Sequence, residues 1–274
     1  MYRYTWRTGI LEAFMILVTA VLVFPLLILI SVGFRSSADV SQNPIGLPTS
    51  LYLDNFKLAW EQGGLGGAFM NSIYITAIAV AVLVAVGASA SYYFGRSGSR
   101  AGGRWYAIVA AGMMVPFQIG VLPLYRVFSD MGLAGNPLSV IIFNAGIHLP
   151  LTVILYTGFM KQIPIEYEEA ARVDGASSFQ IFWRVVVPLL LPVTGTVIVL
   201  DGVSIWNEFF TPLLYLGGTS NVTLPVQIYS FVGDYSTDWG QVFAGLLMAS
   251  LPVLVLFFVF QRYMIRSFGS GLKG

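Results

Sequence analysis

The chain of 274 residues has no cysteine and only one histidine, His148. Without cysteine there is no disulfide framework, and there is no thiolate to act as a nucleophile or zinc ligand. A single histidine also argues against a histidine-based metal site. No Gly-x-x-x-x-Gly-Lys-Ser/Thr segment occurs, so the chain lacks the phosphate loop with which many ATPases hold ATP. We therefore expect no catalytic residue, metal or cofactor in this chain.

Charge is also scarce. Only 10% of the residues are Asp, Glu, Lys or Arg, whereas about 25% is usual in a soluble domain. The net charge of +1 leaves no basic surface for nucleic acid. Apolar residues make up 57% of the chain and form uncharged stretches, several longer than the roughly 20 residues that cross a bilayer as a helix. The sequence predicts an all-α integral membrane protein.

These stretches predict six transmembrane helices in a single domain covering residues 1–274. We expect the spans at about 14–34, 69–94, 105–125, 138–159, 185–210 and 242–263. The first follows Arg3 and Arg7, as a signal peptide core would. Its apolar run is longer than a signal core and no small-x-small cleavage site follows, so we expect it to remain as a span. Pro25 is expected to kink it.

The basic residues fall mainly on one side of this arrangement. That side carries Arg3, Arg7, Arg96, Arg100, Arg104, Lys161, Arg172, Arg184, Arg262, Arg266 and Lys273, and the other carries Arg35, Lys57 and Arg126. Lysine and arginine concentrate in cytoplasmic loops. We therefore expect both termini, the tail 264–274 and the loop between the fourth and fifth spans to be cytoplasmic.

Small residues and prolines inside the spans predict how the helices pack. Every fourth residue of one face of the second span is small: Ala77, Ala81, Ala85 and Ser89. Such stripes let helices approach closely in lipid, and we favour packing within the chain over packing against a partner subunit. Prolines predict breaks in the third and fifth spans, at Pro116, Pro123, Pro188 and Pro192. Broken helices are tolerated where they face protein or water, as in a solute path.

The segment from Ile163 to Gln180, the 163–180 loop, combines several helix signals. Pro164 suits a helix start, and Glu166, Glu168 and Glu169 follow where the helix dipole favours acids. We expect Glu168 to pair with Arg172 one turn later, worth about 0.3–0.5 kcal/mol.

A stop and a second start follow that first helix. Asp174 and Gly175 predict a left-handed stop, and Ser177 with Gln180 predicts a capping box that starts a second helix. We interpret this acidic helix–turn–helix as a docking element that enters a groove on another protein. The alternative is an ordinary solvated loop.

The segment Glu169 to Ala176, followed by Phe179, Pro188 and Pro192, resembles the EAA loop of binding-protein-dependent ABC importer permeases. The resemblance covers nearly the whole chain. It includes Asp54-Asn55-Phe56, Asn71-Ser72, Leu122-Pro123-Leu124-Tyr125 and Trp206-Asn207-Glu208-Phe209. Within that superfamily the chain looks like the shorter subunit of the maltose-type carbohydrate permeases. Those subunits end in a glycine-rich tail closing with Lys-Gly, as this chain does.

The resemblance implies the type I importer fold, in which the loop between helices four and five is a coupling element for a separate ATPase. It assigns coupling to Glu169, Asp174 and Gly175, with Glu169 pairing with a basic residue of the ATPase. We extend the coupling assignment to the other residues of the docking element: Glu166, Glu168, Ala170, Ala171, Arg172 and Ala176. The resemblance points the tail residues Gly269, Gly271 and Lys273 toward the ATPase interface. The position of the tail glycines and Ser267-Phe268 depart from the commonest pattern.

The resemblance also implies the partners and the location. The partners are a second permease, two ATP-binding cassette subunits that hold ATP and Mg²⁺, and an extracytoplasmic solute-binding protein. The location is the bacterial inner membrane.

Polar residues inside the spans are candidates for a solute path: Gln118, Asn144, Asp201, Asn207 and Glu208. Ionisable groups in spans face a cavity or a partner by default. Glu208 could equally reach the surface or meet the binding protein. For Gln118, Asn144 and His148 we favour structural pairing between helices.

The sequence predicts the permease of an ATP-driven carbohydrate importer, working by alternating access. A proton-coupled secondary transporter using Asp201, a permease for a non-sugar solute such as glycerol phosphate, and a non-transporting membrane scaffold remain alternatives.

Overall fold

The computed structural model describes residues 5–48, 51–232 and 237–271, with side chains described as far as Gln261. In these ranges the chain is helical apart from turns, loops and an isolated antiparallel bridge between Val232 and Thr237. In chain order the α-helices are α1 (Trp6–Gly33), α2 (Ser37–Gln42), α3 (Asp54–Glu61), α4 (Leu65–Arg96), α5 (Arg100–Ala111), α6 (Phe117–Asp130), α7 (Pro137–Met160), α8 (Glu166–Val173), α9 (Ser178–Ile181), α10 (Val187–Leu189), α11 (Leu191–Trp206), α12 (Phe210–Leu216), α13 (Leu224–Tyr229) and α14 (Trp239–Gly271). A 3₁₀ turn, Gly112–Met114, follows α5, and a π-helix, Phe182–Val186, precedes α10.

Four of these helices are individually long and apolar enough to cross a membrane: α1, α4, α7 and α14. Two further spans are bent helix pairs, Arg100–Met114 with Phe117–Asp130 at 96°, and Ser178–Leu189 with Leu191–Trp206 at 68°. Counting each bent pair as one span gives the six predicted crossings. The fifth span begins earlier and ends earlier than predicted, at Trp206 rather than near residue 210.

The break in the third span follows from Pro116. The proline ring disfavours helical backbone at the preceding residue, and Val115 is extended, with φ −82° and ψ 116°. Pro116 also lacks the N–H that would continue the helical ladder. The predicted break is confirmed there, whereas Pro123 lies inside α6 and Pro25 inside α1 without interrupting either helix.

The chain divides into two compact units, of which the first comprises residues 1–66 and 227–251. The buried residues of α1 lie at its C-terminal end: Ser31, Val32 and Gly33. Asn55, from the Asp54-Asn55-Phe56 motif, is buried and donates to the carbonyls of Gly33 (3.1 Å) and Arg35 (2.8 Å). The motif therefore has a structural role in this unit.

Arg35 is buried in the same unit, with its guanidinium fully engaged. Its Nε lies 2.6 Å from Asp39 Oδ2, Nη1 donates to Gly46 O and Nη2 to Asp39 O. The hydrogen bond from Arg35 lowers the pKa of the Asp39 carboxyl. A buried cation is tolerable when paired and hydrogen-bonded in this way.

The second unit comprises residues 67–226 and 252–274 and contains two apolar clusters. One gathers α4, α6, α7, α11 and α12 around Leu83, Val140 and Leu216. The other gathers the opposite end of α4 and α7 with the π-helix and α11, around Tyr156, Ile181 and Val197. The 163–180 loop is attached to this second cluster, since Ala171 and Ala176 pack against it.

The small-residue stripe of α4 does not pack within the chain. Ala77, Ala81, Ala85 and Ser89 are all exposed. The buried face of α4 is instead the one carrying Ser72, Ile75, Ala79 and Leu83. Our preference for intramolecular packing is therefore wrong. Small residues permit close packing but do not say whether the neighbouring helix belongs to the same chain.

Candidate functional site

The 163–180 loop has the predicted helix–turn–helix form. Its first helix, α8, carries Glu166, Glu168 and Glu169 in the first turn and begins two residues after Pro164. Gly175 has φ +83°, the left-handed conformation that ends the helix. These local predictions are confirmed.

The second helix is capped as predicted. Gln180 Oε1 accepts from the Ser177 N–H at 2.8 Å, and Ser177 Oγ accepts from the Gln180 N–H at 3.4 Å. The helix then continues through the π-helix toward the fifth span. The loop is thus joined to the membrane at both ends by ordered chain.

Glu168 does not pair with Arg172, so the predicted i,i+4 pair is wrong. Glu168 is 3% exposed, and its Oε1 lies 2.6 Å from Nε of Arg96, the last residue of α4. Its Oε2 accepts a hydrogen bond from the Tyr92 hydroxyl at 3.0 Å. Glu168 faces the end of α4, so its charge is paired with an arginine of that helix. Arg172 stays exposed.

The rest of α8 and the turn after it are mostly open. Glu169, Ala170, Arg172, Asp174 and Gly175 are exposed, and Glu169 makes no hydrogen bond or ion pair with the side chains that the structure describes. Large apolar side chains are exposed beside them: Tyr167 (54%), Val173 (87%), Phe179 (73%) and Trp183 (51%).

Exposed apolar side chains beside unpaired charges are typical of an interaction surface. We call this the α8 surface, comprising Tyr167, Glu169, Arg172, Val173, Asp174 and Phe179. The assignment of these residues to coupling stays a prediction.

Asp201 lies in α11 and is 1% exposed. Its Oδ2 accepts a hydrogen bond from the Thr152 hydroxyl at 2.7 Å, and its Oδ1 lies 3.2 Å from His148 Nδ1. Both partners are on α7. Asp201 therefore joins the fourth and fifth spans, and His148 makes the structural pairing that we favoured for it.

The other path candidates are separated. Gln118 is exposed and lines a cavity of about 380 Å³ beside the break in the third span, together with Gly146 and Pro150. Asn144 is buried, and its amide donates to Val140 O in its own helix. For Gln118 and Asn144 we favoured pairing between helices, and Asn144 instead bonds within α7.

Asn207 and Glu208 follow the end of α11. Asn207 is exposed and donates to Val203 O. Glu208 Oε1 accepts the N–H of Thr211 at 2.8 Å, so this carboxylate caps the first turn of α12. That role was not among the alternatives we considered. Gly269 and Gly271 lie in the last turns of α14, where side chains are not described, and Lys273 lies outside the described residues.

Sequence reasoning missed three side chains that the structure brings to these sites. Tyr92 and Arg96 meet Glu168, and Thr152 meets Asp201. Arg96 was counted only for its charge at the end of a span. Thr152 gave no signal, since hydroxyl side chains inside spans commonly bond to their own helix.

Comparison with known proteins places these features in a family. Residues 84–269 match the family described as binding-protein-dependent transport system inner membrane component. The chain is 35% identical over 252 residues to the melibiose/raffinose/stachyose import permease protein MelC of Bacillus subtilis, covering 91% of each. It is 32% identical over 247 residues to a probable starch degradation products transport system permease protein, AmyC, of Thermoanaerobacterium thermosulfurigenes, covering 90% of each.

A solved structure shares the fold. It is that of a bacterial ABC transporter involved in the import of the acidic polysaccharide alginate, at 23% identity and a TM-score of 0.84, covering 96% of this chain and 100% of that one. The shared fold agrees with the predicted all-α membrane fold, and the family match agrees with the resemblance seen in the sequence. The chain belongs to the family of binding-protein-dependent transport system inner membrane components.

Proposed function

We propose that this chain is the permease subunit of an ATP-driven importer for carbohydrates and forms half of the translocation path. The single observation that carries the proposal is the α8 surface, where charged and large apolar side chains are exposed on a helix that Glu168 anchors to α4. Family membership and the import of sugars by the 35% identical relative support it. The two relatives described above are named for melibiose, raffinose and stachyose and for starch degradation products.

The same proposal assigns the partners. A separate pair of ATP-binding cassette subunits holds ATP and Mg²⁺ and docks on the α8 surface. A solute-binding protein delivers the sugar on the other side of the membrane. The distribution of lysine and arginine supports a cytoplasmic position for α8 and for both termini. This chain then performs no hydrolysis itself.

A second permease subunit completes the path. The exposed stripe of α4 supports this assignment, because Ala77 and Ala81 line an apolar groove of about 430 Å³ together with Ile198, Gly202 and Leu256. Small residues at such a groove allow the backbone of another helix to approach closely.

Transport follows the alternating-access scheme. When ATP brings the two cassette subunits together, α8 moves with them, and the attached spans rotate so that one side of the path opens as the other closes. A proton-coupled mechanism through Asp201 has less support, because both oxygens of that carboxylate face partners in the same chain.

The test is Glu169→Lys in the assembled complex. Charge reversal on the exposed face should weaken docking of the cassette subunits, because a like charge then faces the basic partner. We expect ATP-dependent oligosaccharide uptake into proteoliposomes to fall by about tenfold or more, with unchanged amounts of the variant in the membrane. Uptake at the wild-type rate would contradict the proposal.

Arg100→Gln, which changes an exposed charge at the start of α5, is the matched control and should leave uptake unchanged.

A further inference from the structure

A partly buried ion pair joins α8 to the last turn of α4. Arg96 Nε lies 2.6 Å from Glu168 Oε1, and the two side chains are 17% and 3% exposed. Glu168 is the one buried residue of α8. Every other residue of that helix is exposed or half-buried, so this carboxylate is the main polar attachment of α8 to the spans in the part of the chain described.

The attachment has more than one bond. The other carboxylate oxygen of Glu168 accepts from the Tyr92 hydroxyl, one turn earlier in α4. Arg96 Nη2 donates to Ile163 O at 2.9 Å, in the segment that leads into α8. The guanidinium therefore holds α8 and its preceding segment together, and two residues of α4 hold one carboxylate.

Apolar packing brings two further segments to the same end of α4. The Tyr92 ring packs against Phe182, in the π-helix that leads into the fifth span, with centroids 5.4 Å apart. Gly95 permits α4 to lie close to α7, because a Cβ at that position would be 2.7 Å from Met160 Cγ. The three segments meet within one turn of α4.

Charge-assisted bonds to both oxygens of a carboxylate fix distance and direction, whereas apolar contacts allow sliding. A displacement of α8 would therefore carry the end of α4 with it. The neighbouring residue Glu169 is exposed, about 100° around the helix axis from Glu168, so recognition of a partner and attachment to the spans lie on different faces of one short helix.

We propose that Glu168, Arg96 and Tyr92 form the joint through which a displacement of α8 is passed to α4. They are positioning residues, acting on the path through the helix they hold. The inference rests on the proposed function, since it requires α8 to be moved by a docked ATPase.

The experiment measures uptake and ATP hydrolysis together in proteoliposomes containing the complete complex. Glu168→Gln and Arg96→Gln should keep the cassette subunits bound in co-purification, because the α8 surface is unchanged. The number of sugar molecules imported per ATP hydrolysed should fall by about tenfold. The double variant should fall no further than either single variant, because all three remove one link.

Arg100→Gln is the matched control and should keep the wild-type ratio. The proposal is overturned if the two single variants bind the cassette subunits and import with the wild-type ratio. If they do not accumulate in the membrane, Tyr92→Phe removes only one bond and replaces them: a lowered ratio supports the joint and an unchanged ratio refutes it.

The two proposals fail differently. Normal uptake by Glu169→Lys would remove the docking assignment, whereas an unchanged import ratio in Glu168→Gln would remove only the joint.

Discussion

Glu168 and Glu169 are adjacent in the 163–180 loop, but one carboxylate is buried and bonded and the other is exposed. The two carboxylates differ by one position in α8, about 100° around the helix axis. One is 3% exposed and bonded to Arg96 and Tyr92, and the other is exposed. The family motif begins at Glu169, so the motif alone does not indicate the contact that Glu168 makes with Arg96.

Asp201 is an ionisable residue inside a span whose carboxylate is held by residues of a neighbouring span. An ionisable group inside a span suggests a solute or proton path, but here the carboxylate is bonded to Thr152 and lies beside His148. Polar contacts of this kind between spans contribute about 0.6 kcal/mol on average in measured cases. The carboxylate is better explained as a connection between α7 and α11.

Asp201→Leu should consequently lower stability rather than change sugar selectivity. The Thr152 hydroxyl and the His148 ring lose their shared partner, and we expect a loss of about 1–2 kcal/mol. Thermal unfolding of the purified complex in detergent measures it, with the relative uptake of two oligosaccharides as the second readout. A stable variant with altered selectivity would show that Asp201 meets the solute.

At the scale of the helix, local rules predicted most of the 163–180 loop. A glycine stop and a capping box depend only on residues within one turn, so both were readable from the sequence. The pairing of Glu168 was not, because Arg96 lies 72 positions away and the choice between it and Arg172 depends on how α4 and α8 pack. The six spans were predictable from apolar length and the break at Pro116 from the proline itself, but the 96° angle of that break was not.

The small-residue stripe of α4 also could not be assigned a packing partner from the sequence. Ala79 and Ala81 are two residues apart and equally small, and only Ala79 is buried within the chain. Composition does not distinguish a contact inside the subunit from a contact with a second one.

This pair offers a matched test of the second permease. Ala81→Leu adds bulk at an exposed groove, so the chain should fold normally but co-purify less of the second permease, by about fivefold or more. Ala79→Leu adds the same bulk to a filled core and should reduce the amount of folded chain itself. Affinity purification through a tag on this subunit measures both, and equal recovery of the second permease with Ala81→Leu would count against the groove as its contact.

At the scale of the whole molecule, the remaining question is which way the chain crosses the membrane. The bias of lysine and arginine predicts that α8 is cytoplasmic and that the segment after α1 is on the other side. The absence of cysteine makes this directly testable, because any introduced thiol is the single one in the chain.

Val173→Cys and Leu47→Cys replace exposed residues, 87% and 79% accessible. The cells are kept intact except for a permeabilised outer membrane. A membrane-impermeant maleimide should then label Leu47→Cys at once, and Val173→Cys only after the inner membrane has also been permeabilised. Labelling in the reverse order would invert the orientation, and would place α8 out of reach of a cytoplasmic ATPase.

The separation of an exposed and an anchored face on α8 constrains how this loop can change over evolution. Substitutions on its outer face alter what it recognises and leave its mounting intact. Adding or removing a single residue before Glu168 would turn the helix by about 100°, so the anchoring carboxylate would swing away from Arg96. The number of residues in the loop before Glu168 is therefore far more constrained than the identity of the exposed side chains of α8.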